Sequence, residues 1–167
     1  MHNRPFYIIQ FIVLVLAQVF VLNNIPLWGY IVPMVFLWFI LILPPKLDRN
    51  LVTLLGFILG LSLDFLSHTY GIFAIATTLV AFLRPFILRW FLSPDELDTN
   101  ILSFKAHPTA FLAYTGVMLF IQIFVVFMLE AYNPALLLPV LVKTLLSTLV
   151  SGLLIWGLDQ FINTQKR

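Results

Sequence analysis

The sequence predicts an all-α integral membrane protein with about six transmembrane helices. Of its 167 residues, 62% are hydrophobic and only 10% are charged, and the mean hydropathy is +1.06. A soluble domain of this length could not bury so many apolar side chains. Uninterrupted apolar runs such as 11–16 also lack the polar alternation that a membrane β-barrel needs. Helices are therefore the expected elements.

Six stretches are candidates for crossing the hydrocarbon core, which needs on the order of 20 largely apolar residues per helix. In chain order they are Phe6 to Leu22, Leu27 to Leu43, Leu51 to Leu66, Ile72 to Leu92, Ala110 to Leu129 and Ala135 to Phe161. The first three are short and need a thinner bilayer or interfacial residues to complete the crossing. No linker divides the stretches, so residues 1–167 are expected to form a single transmembrane domain.

The positions of the basic residues indicate the orientation. If both termini are cytoplasmic, eight of the nine Lys and Arg residues lie at the inner ends, whereas the turns at 23–26, 67–71 and 131–134 contain none. This is the positive-inside distribution.

Cysteine is absent, which excludes thiolate catalysis and cysteine-based metal sites. The dispersed basic residues also argue against nucleic-acid binding.

The longest connection, 93–108, is predicted to carry a short amphipathic helix on the cytoplasmic side. A helix-start pattern occupies 93–96. Leu97, Ile101 and Phe104 then recur on one face of the segment. Such a helix lies on the inner leaflet or docks a cytoplasmic partner.

Four residues at a spacing of four mark one face of the third predicted span: Gly56, Gly60, Asp64 and His68. The two glycines follow the pattern that lets transmembrane helices approach closely, so this face is expected to meet another helix. An acid at membrane depth carries an insertion penalty of roughly 2.5 to 3.5 kcal/mol and is usually sheltered by protein or water. Asp64 therefore fixes the following hairpin through local hydrogen bonds, or it gives specificity to a pocket or partner contact.

The last predicted span has a polar seam made of two rows. One row is Lys143, Ser147 and Ser151, and the other is Thr144, Thr148 and Gly152. The seam is expected to bury against another helix, because small residues drive helix packing in lipid. Lys143 must then reach outward or pair with an acid, and its depth makes Glu130 and Asp64 the candidates.

The remaining polar residues form no catalytic pattern. The three histidines fall in three separate segments without zinc-binding spacing. Asp159 lies at the opposite side of the membrane from Asp64, so two carboxylates cannot share a site. Arg84, near the inner end of the fourth span, is expected to reach the lipid headgroups. The chain is therefore predicted not to be an enzyme and to hold no metal or cofactor.

Residues 56–67, followed by 71–74, resemble the central segment of the rod shape-determining protein MreD family. That family shows a Gly-x-x-x-Gly-x-x-x-Asp pattern and a further glycine at the start of the next helix. Here the pattern falls on Gly56, Gly60, Asp64 and Gly71. The length of the chain, the number of spans and the polar residue Gln18 in the first span agree with the resemblance.

The resemblance implies a non-enzymatic scaffold in the bacterial cytoplasmic (inner) membrane. MreD proteins associate with MreC and, together with RodA, the penicillin-binding transpeptidase and the MreB filament, direct lateral peptidoglycan synthesis and so cell shape. In such a scaffold, Gly56 and Gly60 would pack against a partner transmembrane helix, and Asp64 would select that helix. Membrane lipids would be the other partners.

A second function follows from the same resemblance. The MreD fold is similar to the substrate-binding subunits of energy-coupling-factor transporters, so the alternative is a subunit that binds a small molecule such as a vitamin. The pocket would then be lined by Asp64, Lys143, Tyr114 and Gln122.

Overall fold

The computed structural model describes residues 4–22, 31–93, 97 and 108–164. Its elements are α1 (Arg4–Phe20), α2 (Trp38–Leu41), α3 (Arg49–Ser67), α4 (Ile72–Phe91), α5 (Pro108–Ala131) and α6 (Leu137–Thr164), with a 3₁₀ turn at Pro134–Leu136. The four helices from α3 to α6 are long and apolar enough to cross a membrane, and α1 is a shorter apolar helix. The all-α class and the membrane character agree with the prediction.

Consecutive helices pack side by side in this bundle. The contacts join α3 to α4, α4 to α5 and α5 to α6, while α1 packs on α3. The connections at 68–71 and 132–136 are short, as a helical hairpin requires. Apolar side chains remain exposed on the outer faces, such as Leu149 and Leu153 of α6. Helices that are hydrophobic all round are typical of membrane spans.

The prediction that Leu27 to Leu43 forms a helical span is wrong for most of the part that the structure describes. Residues 31–37 are non-helical, and only Trp38–Leu41 forms an α-helical turn. Pro33 is one physical reason, because proline lacks an N–H donor and its ring clashes with the preceding turn of a helix. Irregular backbone is tolerated at membrane depth only where protein or water satisfies its peptide groups.

Residues 34–41 of this buried stretch belong to the hydrophobic core. The side chain of Phe36 is fully buried, and its ring meets Phe73 of α4 edge to face, with the ring centroids 5.8 Å apart. The ring of Phe39 contacts Phe11 of α1 in the same manner, with the centroids 5.4 Å apart. These contacts fix the segment against two helices, since edge-to-face pairs are favourable beyond the area that they bury.

The predicted amphipathic helix at 93–108 lies mostly outside the described residues, and so do Ile101 and Phe104. Leu97 is described, and its backbone N–H donates to the carbonyl oxygen of Ser93 at 3.0 Å. Its half-buried side chain packs against the core of this chain. A docking role for the three apolar residues stays a prediction.

Candidate functional site

The glycine face of α3 packs against α4 of the same chain. A Cβ atom built on Gly56 would lie 2.5 Å from the Cβ of Ala81, and one built on Gly60 would lie 2.5 Å from the carbonyl oxygen of Phe73. Only residues without a side chain allow two helices to come this close. The close approach is as predicted, but the assignment of this face to a separate partner helix is corrected, because α4 occupies it.

Asp64 caps the neighbouring helix. Its Oδ1 accepts hydrogen bonds from the hydroxyl of Thr69 at 2.5 Å and from the backbone N–H of Phe73 at 3.0 Å, and its Oδ2 accepts from the N–H of Ala74 at 2.7 Å. The first N–H groups of a helix have no partner within it, and a negative charge is favoured there. Of the two roles expected for Asp64, these contacts correspond to the local one, in which it fixes the α3–α4 hairpin.

The turn between α3 and α4 depends on left-handed backbone. The φ angle is 55° at His68, 53° at Tyr70 and 94° at Gly71. Gly71 adopts this conformation without a Cβ clash and supplies no side chain to cap α4, which leaves that task to Asp64. His68 ends α3, and its N–H donates to the carbonyl oxygen of Asp64. His68 is therefore the C-cap of α3, and its side chain is exposed.

The serine row of α6 binds the backbone of the buried segment. The hydroxyl of Ser147 accepts from the N–H of Val32 at 3.2 Å, and that of Ser151 accepts from the N–H of Met34 at 2.8 Å. Four residues of helix rise about 6 Å, close to the roughly 6.6 Å that two residues of extended chain span. The two serines of the predicted polar seam therefore meet an irregular segment, and not the helix that was expected.

Gln18 of α1 binds the same segment on alternate residues. Its Nε2 donates to the carbonyl oxygen of Pro33 at 2.8 Å, and its Oε1 accepts from the N–H of Val35 at 2.9 Å. The side chain is completely buried. Gln18, Ser147, Ser151 and residues 32–35 thus form what we call the backbone clamp, which joins α1 to α6. Sequence reasoning missed the clamp, although Pro33 within an apolar run was a signal for irregular chain.

Arg84 is buried, and the prediction that it reaches the headgroups is wrong. Only 2% of its surface is exposed. Its Nε donates to the hydroxyl of Tyr114 at 3.1 Å, and its Nη2 donates to the carbonyl oxygen of Leu43. The helix continues past Pro85 as far as Phe91. Arg84 therefore ties α4 to α5 and to the chain that follows α2.

Lys143 and Asp64 have different neighbours. The Nζ of Lys143 lies 4.0 Å from the centroid of the Phe127 ring, which is a cation–π contact. The same ammonium interacts electrostatically with Glu130. The hydrogen-bond donors to the carboxylate of Asp64, by contrast, all fall within 69–74. Of the two acids predicted as candidates for Lys143, Glu130 is the one with which it interacts electrostatically.

A cavity of about 470 Å³ opens next to the Asp64 turn. Its lining includes Val32, Met34, Ser67, Thr69, Phe73 and Glu130. The pocket expected from Asp64, Lys143, Tyr114 and Gln122 is not this cavity, because none of these four residues lines it. The amide of Gln122 instead donates to the hydroxyl of Thr77 at 3.1 Å.

The polar side chains within the bundle bind mainly backbone groups. Asp64 satisfies a helix start, Gln18 and the two serines satisfy irregular chain, and Arg84 reaches a carbonyl oxygen. Across 4–22, 31–93, 97 and 108–164, no group of three or more His, Asp or Glu residues could hold a metal ion. Comparison with protein-family models, with curated proteins and with solved structures finds no match for this chain.

Proposed function

We propose that this protein is a non-enzymatic membrane scaffold of the MreD type. It binds MreC in the bacterial cytoplasmic membrane, with both termini inside the cell. Through MreC it supports RodA, the penicillin-binding transpeptidase and, indirectly, the MreB filament. The observation that carries the proposal is how the chain uses the Gly-x-x-x-Gly-x-x-x-Asp pattern.

All four positions of the resemblance build one joint between two helices. Gly56 and Gly60 allow α3 and α4 to touch, Asp64 caps α4, and Gly71 forms the turn. A joint of this kind holds helices at a fixed geometry. It suits a protein that works by presenting its outer surfaces to other membrane proteins.

Because α4 covers the glycine face, we place the partner helix on α6. Leu145, Leu149, Leu153 and Trp156 are exposed there and share one helical face. Gly152 lies at the edge of this face, and a Cβ atom built on it would meet no other atom within 4 Å. A small residue beside large apolar ones is the arrangement that admits a second helix.

Recovery of MreC with the tagged protein from solubilised membranes tests the proposal. We expect Gly152→Leu to lower MreC recovery about tenfold, equivalent to about 1.4 kcal/mol, because the added side chain holds the partner helix away. Gly116→Leu in α5 is the matched control, since a Cβ atom there also meets nothing within 4 Å. Failure of the unaltered protein to recover MreC would end the scaffold proposal. Equal recovery by both variants would exclude the α6 face.

A second candidate function is vitamin binding within an energy-coupling-factor transporter. The cavity of about 470 Å³ favours it, because ligand sites usually enclose about 300–1,000 Å³. Its lining combines apolar side chains with the carboxylate of Glu130. A vitamin in an organic extract of the purified protein, together with co-purified ATPase modules, would support transport. An extract without such a compound, from a preparation that contains MreC, would favour the scaffold.

A further inference from the structure

A groove of about 450 Å³ runs between α3 and α4 on their exposed side. Phe57 of α3 and Ile75, Leu79 and Phe82 of α4 line it, and all four side chains are exposed. It is separate from the cavity beside the Asp64 turn, with which it shares no lining residue. In helices that cross a membrane, such a groove faces acyl chains.

The two hydroxyls in this groove are already occupied. Thr53 donates to the carbonyl oxygen of Arg49 at 2.8 Å, and Thr78 donates to that of Ala74 at 2.6 Å. Both bonds lie within the residue's own helix, so neither hydroxyl seeks a ligand. The groove therefore presents an apolar wall that suits a hydrocarbon chain.

A guanidinium lies against Phe82, one of the residues that line the groove. The Cζ of Arg49 lies 3.6 Å from the ring centroid of Phe82 and 5.1 Å from that of Phe86. Arg49 is the first residue of a 19-residue helix, which is about 28 Å long. Because the hydrocarbon core is about 30 Å thick, this charge lies where lipid headgroups begin.

The surroundings of Arg49 favour an anion. Stacking occupies the flat face of the guanidinium and leaves the N–H donors at its edge for a phosphate. Arg89, in the last turn of the same helix as Phe82, is exposed, and Trp90 beside it is 75% exposed. Aromatic and basic residues of this kind mark the level of the headgroups. One acid, Asp48, directly precedes Arg49 in the chain, and its side chain is exposed.

We propose that this groove binds an anionic phospholipid. The phosphate binds the guanidinium edge of Arg49, and one acyl chain lies along Phe57, Leu79 and Ile75. An anionic headgroup is preferred over a zwitterionic one because it brings no ammonium group beside the guanidinium of Arg49. The proposal rests on the groove and its charge and is independent of the scaffold function.

Native mass spectrometry of the full chain tests the proposal. The protein in detergent receives equimolar phosphatidylglycerol and phosphatidylcholine with identical acyl chains. We expect the unaltered protein to retain phosphatidylglycerol about tenfold more than phosphatidylcholine, a preference of about 1.4 kcal/mol. Arg49→Gln should abolish the preference, and Leu79→Trp should lower retention of both lipids because it fills the groove.

Two matched controls separate this site from general effects. Leu149→Trp adds the same bulk to an exposed position of α6, and Lys143→Gln removes a charge from α6, a helix that does not line the groove. Both should behave like the unaltered protein. Equal retention of the two lipids by the unaltered protein would overturn the proposal even if a variant fails to fold. A preference that survives Arg49→Gln, or is also lost in Lys143→Gln, would do the same.

Discussion

The carboxylate of Asp64 and the backbone N–H of Ala74 lie 2.7 Å apart across the α3–α4 turn. This bond depends on Gly60, one turn earlier in α3, because a Cβ atom there would lie 2.5 Å from the carbonyl oxygen of Phe73. The glycine lets the first turn of α4 come close, and the acid then binds the free N–H groups of that same turn. The two residues act as one joint.

Removal of the carboxylate should weaken this joint measurably. We expect Asp64→Ala to lower the free energy of unfolding in detergent by about 2 to 3 kcal/mol, because two N–H groups and a hydroxyl lose their acceptor. Asp64→Asn keeps one acceptor oxygen and should lose about half as much. Denaturant titration followed by circular dichroism measures both values.

Ser62→Ala is the control for the Asp64 variants. The hydroxyl of Ser62 donates to the carbonyl oxygen of Ile58 within α3, so its loss leaves the hairpin joint intact. If Asp64→Ala proved as stable as Ser62→Ala, the cap would contribute nothing to folding.

A methyl group at Gly60 should force α3 and α4 apart. We expect Gly60→Ala to lower the free energy of unfolding by about 1 to 3 kcal/mol, since the clash is with backbone atoms that cannot move aside. Gly152→Ala should leave stability unchanged or raise it slightly, because its surroundings are open and alanine favours a helix. Thermal unfolding in one detergent compares the two variants. A Gly60→Ala protein with the unaltered midpoint would refute the tight interface.

The long helices were predictable because apolar length by itself defines a spanning helix. The fourth span was expected at Ile72 to Leu92 and is Ile72–Phe91. The close approach at Gly56 and Gly60 was also predictable, because small residues at a spacing of four have few other uses on an apolar helix. The helix that these two glycines meet was not predictable, since α4 and a helix of another protein offer the same surface chemistry.

Pro33 indicates a break in the helix, but its presence does not predict that segment 31–37 stays buried as irregular chain. A buried helix and a buried irregular chain are equally apolar, and they differ in whether side chains elsewhere satisfy the peptide groups. The hydroxyl that binds Val32 belongs to Ser147, 115 residues later. Arg84 is a similar case, because its burial depends on Leu43, 41 residues earlier, and on a tyrosine of α5.

Loss of the backbone clamp should expose the segment to exchange with solvent. We expect Ser151→Ala to cost about 1 to 2 kcal/mol and to speed amide hydrogen exchange at Met34, because that N–H is left buried without an acceptor. Ser147→Ala should have a smaller effect, since its bond to Val32 is longer, at 3.2 Å against 2.8 Å. Hydrogen exchange followed by mass spectrometry measures the exchange rates of the amides of Val32 and Met34.

Thr148→Ala is the control for the serine variants. Its Oγ1 is buried without a hydrogen-bond partner within the described part of the chain, so no backbone group depends on it. Exchange at Met34 that is equally slow in Ser151→Ala and Thr148→Ala would contradict the clamp.

Lysine should not be able to take the place of Arg84, although it carries the same charge. A lysine ammonium is a compact charge without the fork of donors that reaches both Tyr114 and Leu43. We therefore expect Arg84→Lys to lower the free energy of unfolding by about 2 to 3 kcal/mol and Tyr114→Phe by about 1 to 2 kcal/mol. In the double variant the two losses should not add, because each removes the same bond.

Arg89→Lys in the same helix provides the control for this cycle. Arg89 is exposed, so its replacement should change stability by no more than about 0.5 kcal/mol. Denaturant unfolding of the unaltered protein, the two single variants and the double variant gives the coupling free energy between Arg84 and Tyr114. Strictly additive losses, or an Arg84→Lys protein as stable as Arg89→Lys, would show that the buried guanidinium does not tie α4 to α5. A positive coupling would instead show that the bond between Arg84 and Tyr114 ties α4 to α5.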